Sequence, residues 1–112
     1  MDFSGSKPIY IQICEFLCDR VLTGALKEGD RIPSVREEGA EIGVNPNTVM
    51  RSYERLTDRG IIHNKRGIGY FISPGARERV LEEQRREFLQ EEVPRIKTRL
   101  ELLGLDPSVF GK

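Results

Sequence analysis

The sequence predicts a mainly α-helical fold with one small β-hairpin, and three observations predict it. Apolar residues recur at steps of three and four through the first half of the chain, the spacing of one helical face. Glycines at 24, 43 and 60 follow those periodic segments as stop signals. Two short runs of β-branched and aromatic residues then flank the glycine-rich stretch Lys65-Arg66-Gly67-Ile68-Gly69. Helix, helix, helix and hairpin in that order is the layout of a winged helix-turn-helix. An Arg/Glu-rich segment follows it and reads as a helical tail. We place the first domain at residues 1–75 and the tail at 76–112.

The first helix is expected over Lys7–Thr23, with Tyr10, Ile13, Leu17 and Val21 as its apolar stripe. Gly24 ends it, and Lys27-Glu28-Gly29-Asp30 form a turn cluster. Ser34 with Glu37 three residues later is a capping box that starts the second helix, which runs to about Ile42. Its inward positions are expected to be Val35, Gly39 and Ile42, with Glu38 beside them, where a carboxylate is costly unless it reaches water or a partner. Asn45 is a good N-cap and Pro46 suits the first helical position of the third helix, which continues to about Arg59. Val49, Tyr53 and Leu56 form its buried face, leaving Asn47, Thr48, Arg51 and Arg55 to point outward. Two helices joined by Gly43-Val44-Asn45 make a helix-turn-helix. The hairpin strands are expected at 61–64 and 70–73, and Ser73-Pro74-Gly75 closes the domain.

In the tail, Leu81, Gln84 and Phe88, then Leu89, Val93, Ile96, Leu100 and Leu103, form a seam at near-heptad spacing. Pro94 interrupts it, as a kink or as the start of a new helix. Such a seam cannot be buried within one helix and asks for a partner. Phe88, Leu89, Val93, Ile96, Leu100 and Leu103 are therefore the expected dimerisation residues. Packing back onto the chain's own domain is the alternative.

The chain carries 18 basic and 18 acidic residues, a formal net charge of zero. The distribution says more than the sum. From Asn45 to Gly75 five basic residues (Arg51, Arg55, Arg59, Lys65, Arg66) oppose Glu54 and Asp58, a local +3, whereas 76–112 is neutral. Basic charge thus gathers where a nucleic-acid-reading element would lie. The longest uncharged apolar stretch, Pro8–Cys14, is too short to span a bilayer. Asp2 and Ser4-Gly5-Ser6 replace the basic and apolar regions of a signal peptide, so a cytoplasmic protein is expected. Cys14 and Cys18, four apart, read as reduced packing residues, since two ligands do not make a zinc site. The lone His63 lies on a wing strand without a convergent Cys, Asp or Ser. No catalytic residue, metal site or cofactor is expected.

The candidate chemistry is DNA recognition. A helix N-terminus presents unpaired amides and a positive dipole end to phosphates, and Asn47 and Thr48 are short polar groups suited to base edges there. Arg51, one turn later, can reach the major groove and pair bidentately with guanine. Arg36 would clamp the backbone from the start of the second helix. Lys65 and Arg66 could enter the adjacent minor groove, with Gly67 and Gly69 permitting close approach. The competing reading is a winged-helix protein-interaction module without direct DNA binding, which the basic wing and the Asn47/Thr48/Arg51 face oppose.

The runs Pro8-Ile9-Tyr10-Ile11-Gln12-Ile13, Gly29-Asp30-Arg31-Ile32-Pro33-Ser34-Val35-Arg36-Glu37, Val44-Asn45-Pro46-Asn47-Thr48-Val49, Tyr53-Glu54-Arg55-Leu56 and Gly67-Ile68-Gly69-Tyr70-Phe71-Ile72 resemble the N-terminal domain of GntR-family regulators across about residues 8–73. The short tail, with its Glu-Val-Pro and Leu-Leu-Gly-Leu-Asp-Pro stretches, is similar to that of the YtrA-like subfamily. The resemblance implies operator binding as a homodimer, more often in repression, through Arg36, Asn45, Asn47, Thr48, Arg51 and Gly67, with Lys65 and Arg66 as neighbours. No residue pattern identifies a small-molecule effector. One departure stands out: the family usually has Leu-Ala where this chain has Glu38-Gly39, which removes apolar burial and lowers helix propensity by about 1 kcal/mol at Gly39.

Overall fold

The computed structural model describes residues 3 and 5–111; Asp2 and Ser4, used above in reading the start of the chain, lie outside the described residues. The elements follow in the order α1 (Ile9–Thr23), β1 (Arg31–Ile32), α2 (Val35–Ile42), α3 (Pro46–Asp58), β2 (Ile62–Lys65), β3 (Gly69–Ile72) and α4 (Ala76–Glu87). A π-helical segment, Phe88–Glu92, leads into α5 (Val93–Leu102), and a 3-10 turn spans Pro107–Phe110. Packing divides the chain into Met1–Val80 and Leu81–Lys112. The division falls inside α4 because Ala76 and Val80 are fully buried in the core of the first unit.

That core is built on α1 and α3. Ile13, Cys14, Leu17, Cys18 and Val21 of α1 meet Val49, Tyr53 and Leu56 of α3, each burial of a Leu- or Val-sized side chain contributing about 1.5–3 kcal/mol. The Cys14 thiol donates to the Ser52 carbonyl at 3.4 Å, and burial pushes it above the ordinary thiol range, which keeps it protonated. Ser52 in turn donates its hydroxyl to the Tyr10 carbonyl at 2.7 Å, tying α3 to α1. Tyr53, the largest fully buried side chain, satisfies its hydroxyl on the Pro33 carbonyl at 2.7 Å. Tyr10, expected in the buried stripe, is only half-buried, because its ring turns toward Arg51.

The sheet has three strands in the order β1-β3-β2, all antiparallel neighbours. The third strand was invisible to sequence reading: β1 is two residues long, too short to display an alternating pattern. Backbone bonds from Gly29 to the Ile72 carbonyl and from Ile72 to the Asp30 carbonyl, 2.8 and 2.9 Å, anchor it to β3. Both hairpin strands are shifted one residue toward the turn from the expected positions. Ile61 is excluded from β2 because its amide closes the end of α3 on the Leu56 carbonyl at 3.0 Å.

The capping box at the start of α2 forms as its sequence predicts, with Glu37 N–H to Ser34 Oγ at 3.1 Å and Ser34 N–H to Glu37 Oε1 at 3.0 Å. Those bonds hold the Glu37 carboxyl below the usual carboxylate range. Inside the helix Gly39 is inward with Glu38 beside it, as expected, while Val35 and Ile42 reach the core only in part. Val35 and Ile42 are half-buried against the core, whereas Gly39 and the charged Glu38 are buried outright.

Gly39 is a packing requirement, not only a weak helix former. A Cβ built there would lie 2.6 Å from the Val44 carbonyl oxygen, backbone against backbone, so the turn between α2 and α3 closes on a position with no room for a methyl. Helix propensity favours Gly39→Ala by about 1 kcal/mol, but overpacking costs about 1–3 kcal/mol. We expect a net loss of stability of about 1 kcal/mol in urea unfolding; a raised midpoint would mean that the turn yields freely.

Glu38 is 5% exposed, and desolvation, then the nearby Glu41, pushes its carboxyl above the ordinary range, with Arg20 opposing. A raised folded-state pKa means that the native protein binds the proton more readily than the unfolded chain. The associated stability is present below the unfolded value and lost as pH rises through the folded one, so at pH 7 the charged group is a burden. Glu38→Leu and Glu38→Gln are expected to stabilise the domain at pH 7 by about 0.5–2 kcal/mol. The gain of Glu38→Gln should vanish below about pH 4.3, where both states hold the proton. Thermal melts at the two pH values check this, and an equal gain at both would remove the charge as its cause.

Candidate nucleic-acid interface

The N-terminus of α3 is built by one cap. Asn45 Oδ1 accepts from the Asn47 amide at 2.8 Å, Pro46 fills the first helical position, and the Asn45 carbonyl takes the Thr48 and Val49 amides at 2.9 and 3.2 Å. Asn45 therefore spends its side-chain oxygen on the cap and keeps its amide hydrogens for a ligand. Asn47 and Arg51 are exposed and Thr48 is half-buried on the first turns of the helix, while Val49, Ser52, Tyr53 and Leu56 anchor the opposite face. The alternation gives a rigid helix with a polar outer face.

Arg51, though exposed, is braced by a neighbouring ring. Its guanidinium carbon lies 4.1 Å from the centroid of the Tyr10 ring. A guanidinium held over an aromatic ring loses side-chain freedom without spending its N–H donors, which leaves its planar fork available for bidentate pairing. Tyr10 thus supports a candidate site residue, a role that sequence reasoning missed because apolar spacing alone assigned it to the core.

The wing turn carries Lys65, Arg66 and Gly67, all exposed. Gly67 adopts φ +78°, a left-handed conformation that side chains seldom take, and open space surrounds it. Lys65 Nζ sits 4.5 Å over the Phe71 ring, whose other neighbour is the stacked His63 ring at 6.1 Å. His63 Nδ1 pairs with Ser73 Oγ at 2.9 Å. Tyr70 braces the wing on α3: its ring meets Tyr53 edge-on at 4.9 Å, and its hydroxyl approaches Met50 Sδ at 3.9 Å. Arg36, exposed on the first turn of α2, completes the set. The candidate residues thus form three groups on one unit, at the start of α3, the start of α2 and the wing tip. Among the described residues no group of three or more His, Cys, Asp or Glu converges as metal ligands, and no helix is long and apolar enough to cross a membrane.

In the tail unit, Phe88, Leu89, Ile96 and Leu103 are exposed and Val93 and Leu100 half-buried. Pro94 accounts for the local geometry. It lacks an N–H for the helical ladder, and the Val93 amide bonds five residues back to the Phe88 carbonyl, giving a π-helical turn before α5. Leu102, Leu105, Val109 and Phe110 are exposed too, so the apolar surface continues beyond the seam that spacing predicts.

A capped outward-facing helix, a helix packed before it and a three-stranded sheet ending in a basic wing define a winged helix-turn-helix. The sequence profile of the gntR family of bacterial regulatory proteins matches residues 9–72, and the chain belongs to that family. It is 43% identical over 74 residues to the HTH-type transcriptional regulator YhcF of Bacillus subtilis, covering 66% of this chain and 61% of the relative. It is also 43% identical over 82 residues to the HTH-type transcriptional repressor YtrA of the same organism, covering 73% and 63%. The chain therefore spans less than two thirds of the length of these two relatives. A solved GntR-family transcriptional regulator from Bacteroides thetaiotaomicron superposes with a TM-score of 0.75 at 43% identity, covering 92% of this chain and 89% of the other.

Proposed function

We propose that this chain is a sequence-specific DNA-binding transcriptional regulator, a repressor that binds a palindromic operator as a homodimer in the bacterial cytoplasm. The observation that carries the reading is the start of α3, where the Asn45 cap leaves amides, Asn47, Thr48 and Arg51 on one polar face. In this reading Arg36 clamps the phosphate backbone, Asn45, Asn47, Thr48 and Arg51 meet the major groove, and Lys65, Arg66 and Gly67 enter the minor groove beside it. Residues 1–75 are the reading domain and residues 76–112 the dimerisation tail, through Phe88, Leu89, Val93, Ile96, Leu100 and Leu103. The two-fold pairing sets two α3 helices about 34–36 Å apart, one turn of DNA. Membership of a regulator family and similarity to a named repressor support the repressor role. A zero net charge fits the need for two copies, since one modestly basic surface holds few phosphates. Footprinting on the DNA upstream of the chain's own gene tests the reading. A protected, two-fold symmetric site that weakens steeply with salt supports it. Absent or salt-independent binding favours the protein-interaction alternative.

A further inference from the structure

The solvent side of the sheet carries a cation that the DNA contacts above do not use, Arg31, and it lies beside Lys65 of the wing. Arg31 of β1 is paired across the ladder with Phe71, and Lys65 of β2 with Gly69. Their side chains take the opposite diagonals. Lys65 Nζ lies 4.5 Å over Phe71, whereas Arg31 lies across Gly69, so close that a methyl there would sit 2.9 Å from its Nε. Both cations are exposed and cross β3 from its two sides, Lys65 over the Phe71 ring, against which the His63 ring stacks. Only Ile32, Pro33 and Ser34 separate Arg31 from the start of α2, the helix that carries Arg36.

We propose that this outer face, with Arg31 and Lys65 crossed over β3, is a second phosphate-binding strip that takes the DNA backbone flanking the wing. The inference rests on the DNA-binding reading and extends it from the wing tip to the sheet. A phosphodiester is the ligand class that fits. Arg31 presents a planar donor fork and Lys65 a point charge, and Gly69, with no side chain, lets Arg31 lie across β3 toward Lys65. Glu37 Oε1 already accepts from the Ser34 amide at 3.0 Å, which ties that carboxylate to the start of α2 rather than to Arg31. Phosphate contacts of this kind position a protein on DNA without reading sequence.

The test measures binding of the whole chain to a duplex that the wild type selects from random sequence, across a salt series, with a scrambled duplex as control. Arg31→Ala is expected to weaken binding about 3- to 10-fold on both duplexes and to lower the salt slope by about one for each copy of the chain bound. Arg31→Lys should keep the slope, and melting temperatures should report that each variant is folded. An unchanged slope in folded Arg31→Ala, alongside a lowered slope in Arg66→Ala, overturns the strip while leaving the DNA reading intact. Failure of the wild type to select any duplex overturns both.

Discussion

Arg51→Ala is expected to relax base preference at one base pair in each half-site by about 5- to 150-fold, the equivalent of losing a bidentate arginine–guanine pair worth about 1–3 kcal/mol. The expectation follows from position before chemistry. Val49, Ser52, Tyr53 and Leu56 fix the roll of α3 about its axis, which leaves position 51 on the outer face. Tyr10 then fixes the guanidinium itself, at 4.1 Å from its ring. Because the Tyr10 carbonyl also accepts from Ser52, the ring and the helix it supports are held at one relative height. Arg51→Lys should resemble the alanine variant in selectivity while retaining more affinity, since an ammonium supplies charge without the planar fork. Competition binding against duplexes varied one base pair at a time separates the two effects. A flat comparison, with Arg51→Ala selecting the same bases as wild type, would assign recognition to Asn47 and Thr48 alone. Tyr10→Leu is the informative companion: it should blunt selectivity in the presence of Arg51 and do nothing further in its absence.

How far sequence reached into this site depended on the range of each interaction. The Asn45 cap, Pro46 and the Ser34–Glu37 box are contacts between residues two or three apart, and each was legible because local chemistry decides it. The buried face of α3 was legible for a similar reason, since period alone chooses Val49, Tyr53 and Leu56. What escaped was set by partners distant in sequence. Tyr10 and Arg51 are 41 positions apart, and nothing in a stripe of apolar residues says that one ring will support a cation. The strand at Arg31–Ile32 exists only because β3 supplies the other half of the ladder. Gly39 shows the same limit from the other side. Its propensity reads as a defect, and only the approach of the Val44 carbonyl reveals the space it must leave empty. The crossed diagonals of Arg31 and Lys65 likewise require a register, which no single strand specifies.

Ile96→Asp combined with Leu100→Asp is expected to convert the protein from dimer to monomer at micromolar concentration and to weaken operator binding by about 100- to 10,000-fold, the range lost when a linked second contact is removed. The tail unit carries Phe88, Leu89, Ile96, Leu102, Leu103, Leu105, Val109 and Phe110 exposed in the single chain, more apolar surface than a lone helix keeps in water. Its charges are balanced, eight of each sign over 76–112, so a second copy meets no net repulsion. Ile96 and Leu100 stand four apart on α5 and therefore on one face, where two carboxylates would have to be desolvated together on pairing. The substitutions lie outside Met1–Val80, whose core contains neither residue, so the melting of that unit should be retained. Sedimentation at several concentrations reads the first effect and titration of a two-half-site duplex the second. A double variant that still sediments as a dimer would move the contact elsewhere on the chain. A monomer that binds the duplex as tightly as wild type would break the link between pairing and affinity. With no net charge on the chain, the proposed pairing would supply that affinity: each copy would hold one half-site weakly, and the tail would make the second half-site a near neighbour rather than a separate encounter.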